Sequence, residues 1–190
     1  MLELLKDWVG RRETLHDVLQ PVPLLALNAT LDHPPMEIPH GTPLPPLWHW
    51  LYFLPLHRQS EIGPDGHPKR GGFLPPVPLP RRMWAGSRLQ FQRPLAVGER
   101  ITCLSRIQDV KVKQGRSGTL VFVTVRHEVS GSAGLAIVDE HDIVYRSETE
   151  RAVAEPVPAA TGEAWSRTIH PDPVLLFRYS AATANGHRIH

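Results

Sequence analysis

The alternation of apolar and polar residues between positions 83 and 145 limits the folds that this chain can adopt more than any other feature of the sequence. Four runs in it are predicted to be strands, at residues 83–91, 99–110, 120–128 and 135–145. The third run, Leu-Val-Phe-Val-Thr-Val-Arg-His-Glu, is rich in the β-branched residues that strands favour. Short segments join the runs, and several carry the glycines of tight turns. Because consecutive strands joined so closely pair side by side, the sequence predicts an antiparallel meander.

Proline marks a different kind of region before these strands. The chain has 20 prolines, concentrated between Pro34 and Pro80. Proline lacks a backbone N–H and resists both helices and central strands, so this region is expected to be rich in loops. It also contains the apolar run Leu-Trp-His-Trp-Leu-Tyr-Phe-Leu at residues 47–54. Such a run is expected to be buried, which favours an ordered region over a flexible linker, and residues 48–54 are predicted to be a strand.

Helical spacing of apolar residues occurs in the first part of the chain. Residues 1–12 are predicted to be a helix that Gly10 ends, and residues 23–31 a second helix after a turn that begins at Thr14. The predicted strands, with residues 48–54 among them, and the helix at 23–31 together indicate an α+β fold. In this fold a curved antiparallel sheet surrounds a helix.

A third helix is predicted near the end of the sequence. Asp172 can cap it with its side chain, and Pro173 fits the first turn, where a missing N–H costs nothing. The pair Asn185 and Gly186 is expected to end it with a left-handed residue. This helix and residues 23–31 share a layout of Pro, Leu-Leu, small residues and Thr, which indicates an internal repeat with a period of about 150 residues. The buried face of the third helix is expected to consist of Leu175, Tyr179 and Ala182.

The final residues, 177–190, bring several proton-transfer groups together in the run Phe-Arg-Tyr-Ser-Ala-Ala-Thr-Ala-Asn-Gly-His-Arg-Ile-His. This run resembles the catalytic segment of MaoC-like hydratases and dehydratases of the double hot-dog type, which include the type 2 hydroxyacyl-thioester dehydratases. The proline-flanked motifs at residues 47–55 and 71–86 are similar to the N-terminal half of the branch that contains mesaconyl-C4-CoA (3-methylfumaryl-CoA) and itaconyl-CoA hydratases. The resemblance covers nearly the whole chain and implies a hot-dog fold.

The resemblance also implies roles for three residues near the end of the sequence. The wider family has the signature Ser-Gly-Asp-x-Asn-Pro-hydrophobic-His. On this signature Asn185 falls at the Asp position, His187 at the Asn position and His190 at the catalytic His position. His190 is therefore expected to be the acid/base, and His187 to support the loop or to share in proton transfer. Asn185 departs from the family, because an amide holds a water but cannot accept its proton at neutral pH; it is expected to orient the water or to stand in for the Asp.

The activity that the resemblance implies is hydration of an enoyl-CoA, or in reverse dehydration of a 3-hydroxyacyl thioester, without a metal or a redox cofactor. The branch implies a dicarboxylic acyl-CoA of the mesaconyl or itaconyl type. The alternative is a non-catalytic hot-dog subunit that binds acyl thioesters or assembles with a partner chain. Arg81 and Arg82 follow a polyproline run and are candidates to bind a substrate carboxylate or a CoA phosphate. The alternative is that these two arginines are solvated charges at the end of a strand.

Two domains are expected from the repeat and the resemblance. Residues 1–147 are expected to be a non-catalytic hot-dog domain, residues 148–164 a linker, and residues 165–190 the truncated beginning of a catalytic hot-dog domain. His187 and His190 have a spacing that two zinc ligands can have, but no recognised motif places a third ligand. No metal is therefore expected.

Charge and composition exclude several other classes of protein. The formal net charge of +2 is too small to indicate a nucleic-acid partner. No apolar run approaches the roughly 20 residues that a membrane span needs. The single cysteine, Cys103, excludes an internal disulfide and fits a reducing compartment, so the cytoplasm is expected. Because an exposed sheet edge needs cover, a homodimer is expected.

Overall fold

The computed structural model describes residues 3–115, 118–147, 157–159 and 161–187. Its five strands form one antiparallel sheet with the order β1-β3-β4-β5-β2. The strands are β1 (Arg12–Val18), β2 (Arg81–Phe91), β3 (Arg100–Gly115), β4 (Gly118–Gly131) and β5 (Gly134–Arg146). The helices are α1 (Pro21–Thr30), α2 (Pro173–Ala182) and the short 3-10 helices Glu3–Trp8, Trp48–Leu51 and Gln59–Glu61. Among these residues, no helix combines the length and the apolar character needed to cross a membrane.

The four strands predicted from the alternating pattern are confirmed as β2 to β5. β3, β4 and β5 pair in sequence order, as a meander does. β2 differs, because it pairs with β5 at the far edge of the sheet and not with its sequence neighbour β3. The free edge of β3 is occupied by β1, which leaves β2 the other edge.

The sequence analysis missed β1. This strand lies where the end of the helix at residues 1–12 and the turn at Thr14 were predicted, and both predictions are wrong there. β1 pairs with β3 over seven residues, but its first five residues are exposed. An edge strand with so little buried surface lacks the apolar alternation by which strands are recognised. Of the helix predicted at residues 1–12, the described residues form only the 3-10 helix Glu3–Trp8.

The strand predicted at residues 48–54 is also wrong. Trp48–Leu51 is a 3-10 helix, which the chain enters through Leu47 in the left-handed conformation, with a φ of 72°. Prolines flank the run on both sides and cannot donate to a sheet ladder. The predicted burial of the run is confirmed only in part, since Leu51 and Tyr52 are 3% and 5% exposed while Leu47 and Trp50 are exposed.

Helix α1 packs against one face of the sheet, as the hot-dog arrangement requires. Its Leu24 and Leu27 lie in a core cluster with Ile101, Val129 and Ile137 of the three central strands. Full burial of one leucine side chain stabilises the fold by about 1.5–3 kcal/mol. A second core cluster lies further along the same strands and contains Leu5, Val77, Ile107, Val110, Val121, Val123, Val125 and Tyr145.

Helix α2 begins as predicted and ends differently. The Asp172 side chain accepts a hydrogen bond from the Leu175 N–H at 2.9 Å, which is the expected cap. The left-handed residue after the helix is Ala184, with a φ of 49°, and not the Asn-Gly pair that follows it. The predicted buried face is only partly buried, because Tyr179 is 42% exposed and the buried residue of the helix is Ser180.

Candidate active site

Asn185 and His187 lie directly after α2, where the chain turns. Ala184 adopts the left-handed conformation there, and the Asn185 N–H donates to the Ser180 carbonyl at 2.8 Å. The Asn185 Oδ1 accepts from the His187 N–H at 3.3 Å. Local hydrogen bonds thus bring two of the three predicted site residues together in segment 185–187. His190 lies outside the described residues, and its role stays a prediction.

A loop distant in the sequence, residues 63–68, packs against segment 185–187. Gly66 has a φ of +84° and approaches Gly186 so closely that a Cβ on it would overlap the Gly186 carbonyl oxygen and lie 2.6 Å from the carbonyl carbon. The imidazole rings of His67 and His187 lie 5.1 Å apart, centroid to centroid, with 59° between their planes. The sequence analysis did not connect these regions, although each carries a Gly-His pair.

Asp65 attaches loop 63–68 to the sheet. Its Oδ1 accepts from the His67 N–H at 3.2 Å. Its Oδ2 lies 3.2 Å from Nη2 of Arg82, too poorly aligned for a hydrogen bond, and 3.9 Å from Nη2 of Arg70. Only 9% of the Arg82 side chain is exposed, and a buried charge requires a partner of opposite sign. Arg82 therefore holds the loop through Asp65.

Arg81 and Arg82 do not act as a pair in this structure. Successive side chains of a strand point to opposite faces, and here Arg81 is exposed while Arg82 is buried. The solvated alternative therefore fails for Arg82. Substrate binding by either residue stays a prediction.

An open cleft of about 670 Å³ runs along α2 and reaches segment 185–187. Its walls are mainly apolar side chains of the helix, together with Asn185 and His187. Val174 and Phe177 on α2 are 66% and 72% exposed. A group of large apolar side chains left open to solvent is typical of a surface that another part of the protein or a ligand covers.

A group of polar side chains, called here the polar belt, crosses the core face of the sheet between the two core clusters. The Ser105 Oγ and the His127 Nδ1 are hydrogen-bonded at 2.7 Å. The Trp50 Nε1–H donates to the Asp139 Oδ2 at 3.1 Å, and the His49 Nε2 lies 4.0 Å from the same oxygen. The belt consists of Ser105, His127, Asp139, His141 and His49.

Burial controls the charges of the polar belt. It lowers the pKa of His127 to about 4, so this imidazole is neutral at neutral pH, and it also lowers the pKa of His141. Burial acts to raise the pKa of Asp139, but the Trp50 N–H and the nearby imidazoles outweigh it, and the net shift is downward. Ser105 is 2% exposed, whereas His127 and His141 are only partly buried. Neither in the belt nor elsewhere among the described residues do three His, Cys, Asp or Glu side chains form a group that could hold a metal ion.

The sequence analysis missed the polar belt, although a signal was present. His127, Asp139 and His141 occupy positions of β4 and β5 where the alternation places core residues. A polar residue in such a position must find a partner, because an unpaired buried polar group is costly. The strand register supplies that partner, since it places His127 beside Ser105 of β3, with which it forms a hydrogen bond, and beside Asp139 of β5.

Comparison with known proteins identifies the family. The family model described as hydroxyacyl-thioester dehydratase type 2 matches residues 47–190, most of the chain. The chain belongs to this family. It is 46% identical to a mesaconyl-C(4)-CoA hydratase of Chloroflexus aurantiacus over 96% of its own length. It is 28% identical to the mitochondrial hydroxyacyl-thioester dehydratase type 2 of Schizosaccharomyces pombe, also over 96% of its length.

The chain spans 66% of the Chloroflexus protein and 70% of the yeast protein. Among solved structures, HtdX of Mycobacterium tuberculosis matches it with a TM-score of 0.53 and 16% identity, over 95% of this chain and 64% of that chain. At this identity the likeness speaks for the fold alone, and the predicted α+β hot-dog fold is confirmed. The predicted family is confirmed as well.

Proposed function

We propose that this protein is a hydro-lyase that adds water to an unsaturated dicarboxylic acyl-CoA of the mesaconyl type. The observation that carries the proposal is the 46% identity to a mesaconyl-C(4)-CoA hydratase over 96% of this chain. Membership of the type 2 dehydratase family supports the reverse reaction on a 3-hydroxyacyl thioester as well. An itaconyl-type thioester is the second substrate to be compared.

The proposed mechanism uses the side chains near the end of the sequence. His190 takes a proton from water as the water oxygen bonds to the β-carbon, and the electron pair of the double bond moves toward the thioester carbonyl. His190 then delivers a proton to the α-carbon. An imidazole with an ordinary pKa of about 6.5 suits both transfers. Asn185 orients the water, and the hydrogen bond from the His187 N–H supports this role because it fixes the plane of the Asn185 amide.

The proposed domain organisation follows the predicted boundaries. Residues 1–147 form the non-catalytic hot-dog domain, residues 148–164 the linker, and residues 165–190 the beginning of the catalytic domain. Two observations support this division. α1 and α2 are both ten residues long and begin at a proline, as repeated units would. The exposed Val174 and Phe177 on α2 supply the apolar surface that a second sheet would cover, as the first sheet covers α1.

A homodimer and a cytoplasmic location are also proposed. β1 and β2 are the two edge strands of the sheet, and an edge strand favours pairing with another chain. The free thiol of Cys103, which is buried, agrees with a reducing compartment. Light scattering of the purified protein measures the oligomeric state, and a monomer at micromolar concentration would contradict the dimer.

The experiment that tests the function is a hydration assay on a panel of enoyl-CoA esters. The panel contains mesaconyl-C4-CoA, itaconyl-CoA and an unbranched monocarboxylic enoyl-CoA. We expect turnover of a dicarboxylic ester and a loss of about 100-fold or more in His190→Ala, because general acid–base catalysis contributes about 10²–10⁴-fold. His170→Ala, at an exposed position, is the matched control and should retain wild-type turnover.

Three outcomes would change the proposal. Unchanged turnover in His190→Ala removes His190 from the mechanism. Preference for the monocarboxylic ester removes the dicarboxylic specificity. Binding of acyl thioesters without turnover of any ester would support the alternative, a non-catalytic subunit that requires a partner chain.

A further inference from the structure

We propose that loop 63–68 positions segment 185–187 for catalysis, with Gly66 and His67 as positioning residues. The inference rests on the proposed hydratase function, because it gives the loop a task in that reaction. The loop lies outside the stretch that resembles the catalytic signature. Four observations carry the proposal: the rigidity of the loop, its attachment to the sheet, its contact with the segment, and the exposure of the segment.

Loop 63–68 is held by its own hydrogen bonds. The Gly63 N–H donates to the His67 carbonyl at 2.7 Å, and the Gly66 N–H donates to the Gly63 carbonyl at 3.0 Å. The Asp65 carboxylate accepts from the His67 N–H at 3.2 Å. Ile62 and Pro68 are bridged at its base. The backbone of His67 is therefore fixed relative to Asp65.

The sheet in turn fixes Asp65. Its carboxylate lies 3.2 Å from the guanidinium of Arg82, which belongs to β2 and is buried. Arg70 joins the same carboxylate at 3.9 Å, lies over the ring of Tyr145 and donates to the carbonyls of residues 77, 79 and 80. Because guanidinium groups stay charged at every accessible pH, this attachment does not depend on titration of the arginines. The loop is thereby attached to the body of the fold.

The contact between the loop and segment 185–187 admits only glycine at two positions. A Cβ at Gly66 would lie 2.6 Å from the Gly186 carbonyl carbon, and a Cβ at Gly186 would lie 2.8 Å from the Gly66 carbonyl oxygen. Real Cβ atoms essentially never come within 3.0 Å of another heavy atom in this way. The two backbones touch, and beside them the rings of His67 and His187 are 5.1 Å apart.

The exposure of segment 185–187 explains why it requires such support. Asn185 and His187 are only partly buried, and the cleft along α2 opens beside them. A displacement of about 1 Å in an active site can lower turnover by about 100-fold. Groups that handle water and protons must be held by rigid neighbours to keep their geometry. Loop 63–68, which is attached to the sheet through Asp65 and Arg82, supplies such a neighbour.

The test compares Gly66→Ala with the matched control Gly41→Ala. Both glycines are left-handed, with φ values of +84° and +87°, so both variants carry the same kind of backbone strain. They differ in contact, since among the described residues nothing lies within 4 Å of a Cβ at Gly41. We expect kcat to fall about 100-fold in Gly66→Ala with KM within about twofold, and to stay within about twofold in the control. Equal kcat values in the two variants would overturn the proposal.

His67→Leu is the second variant, and it covers the case in which Gly66→Ala does not fold. It removes the ring contact and leaves the backbone contact in place. NMR spectra of ¹⁵N-labelled histidine rings report on His187 directly, and we expect its ring resonances to shift in His67→Leu while kcat falls about tenfold. His170→Leu, at an exposed position, should change neither. Unshifted His187 resonances in His67→Leu refute the positioning role.

The two measurements separate this inference from the proposed function. If the wild-type protein hydrates no enoyl-CoA, the hydratase proposal fails, and with it the catalytic part of the inference. The ring resonances then still test whether His67 of loop 63–68 contacts His187 of segment 185–187. If the wild type is active and both variants match it, the positioning role fails alone.

Discussion

Acidification from about pH 7 to about pH 4 is expected to destabilise the protein through His127. Burial lowers the pKa of this imidazole from 6.5 to about 4 in the folded state. Above pH 6.5 the imidazole of His127 is neutral in the folded and unfolded states, so its titration does not reduce the free energy of unfolding there. As the pH falls from 6.5 to about 4, the unfolded chain takes up a proton that the folded chain refuses, and the free energy of unfolding decreases.

The size of the effect follows from the shift. At about 1.4 kcal/mol per pKa unit, the pKa shift of His127 corresponds to at most about 3.5 kcal/mol. Solvent reaches part of the side chain, which reduces the expected loss to about 2 kcal/mol. His141 adds to the loss in the same pH window, because burial lowers its pKa too. Asp139 does not, since its pKa is below its ordinary 3.8 and its contribution is lost only at lower pH.

The assay is urea unfolding, followed by tryptophan fluorescence, at several pH values between about 4.5 and about 7. His127→Gln retains an amide for the Ser105 hydroxyl and removes the titration. As the pH falls from about 7 to about 4.5, the free energy of unfolding of this variant should therefore decrease by about 2 kcal/mol less than that of the wild type. His170→Gln, at an exposed position, should keep the wild-type dependence. Parallel curves for the wild type and His127→Gln would refute the reasoning.

Two further predictions concern Cys103 and Tyr52. Burial raises the pKa of the Cys103 thiol, so iodoacetamide at about pH 8 should label the native protein at least about 100-fold more slowly than the urea-unfolded protein; equal rates would contradict this. The Tyr52 hydroxyl donates to the Gln20 carbonyl at 2.6 Å, so Tyr52→Phe should lower the free energy of unfolding by about 1–2 kcal/mol in a urea titration. Tyr179→Phe, at a more exposed position, is the control, and an equal effect in both variants would exclude the hydrogen bond as the cause.

Features that depend on neighbouring residues could be predicted from the sequence. β4 covers the predicted run at residues 120–128, because β-branched residues and alternation act within the strand itself. α2 begins at the predicted cap, because Asp172 needs only a backbone N–H three residues later. In each case the partners are close in the sequence.

Features that depend on distant residues could not be predicted in this way. β1 is a strand because the edge of β3 accepts it, and its own exposed residues show no pattern. The role of Arg82 as the anchor of Asp65 requires the path of loop 63–68 across the sheet. The polar belt becomes visible only when the register of β4 and β5 is known. These signals are distributed over strands and loops that a linear pattern treats separately.

The location of the two core clusters has a consequence for biosynthesis. Their buried members all come from residues between Leu5 and Tyr145, so the sheet can close around α1 while later codons are still being translated. Gly66 is then already part of a folded surface before Gly186 leaves the ribosome. The nascent chain therefore passes through a stage in which the body is folded and α2 is still being released, and α2 then docks onto a surface of α1 that is already formed.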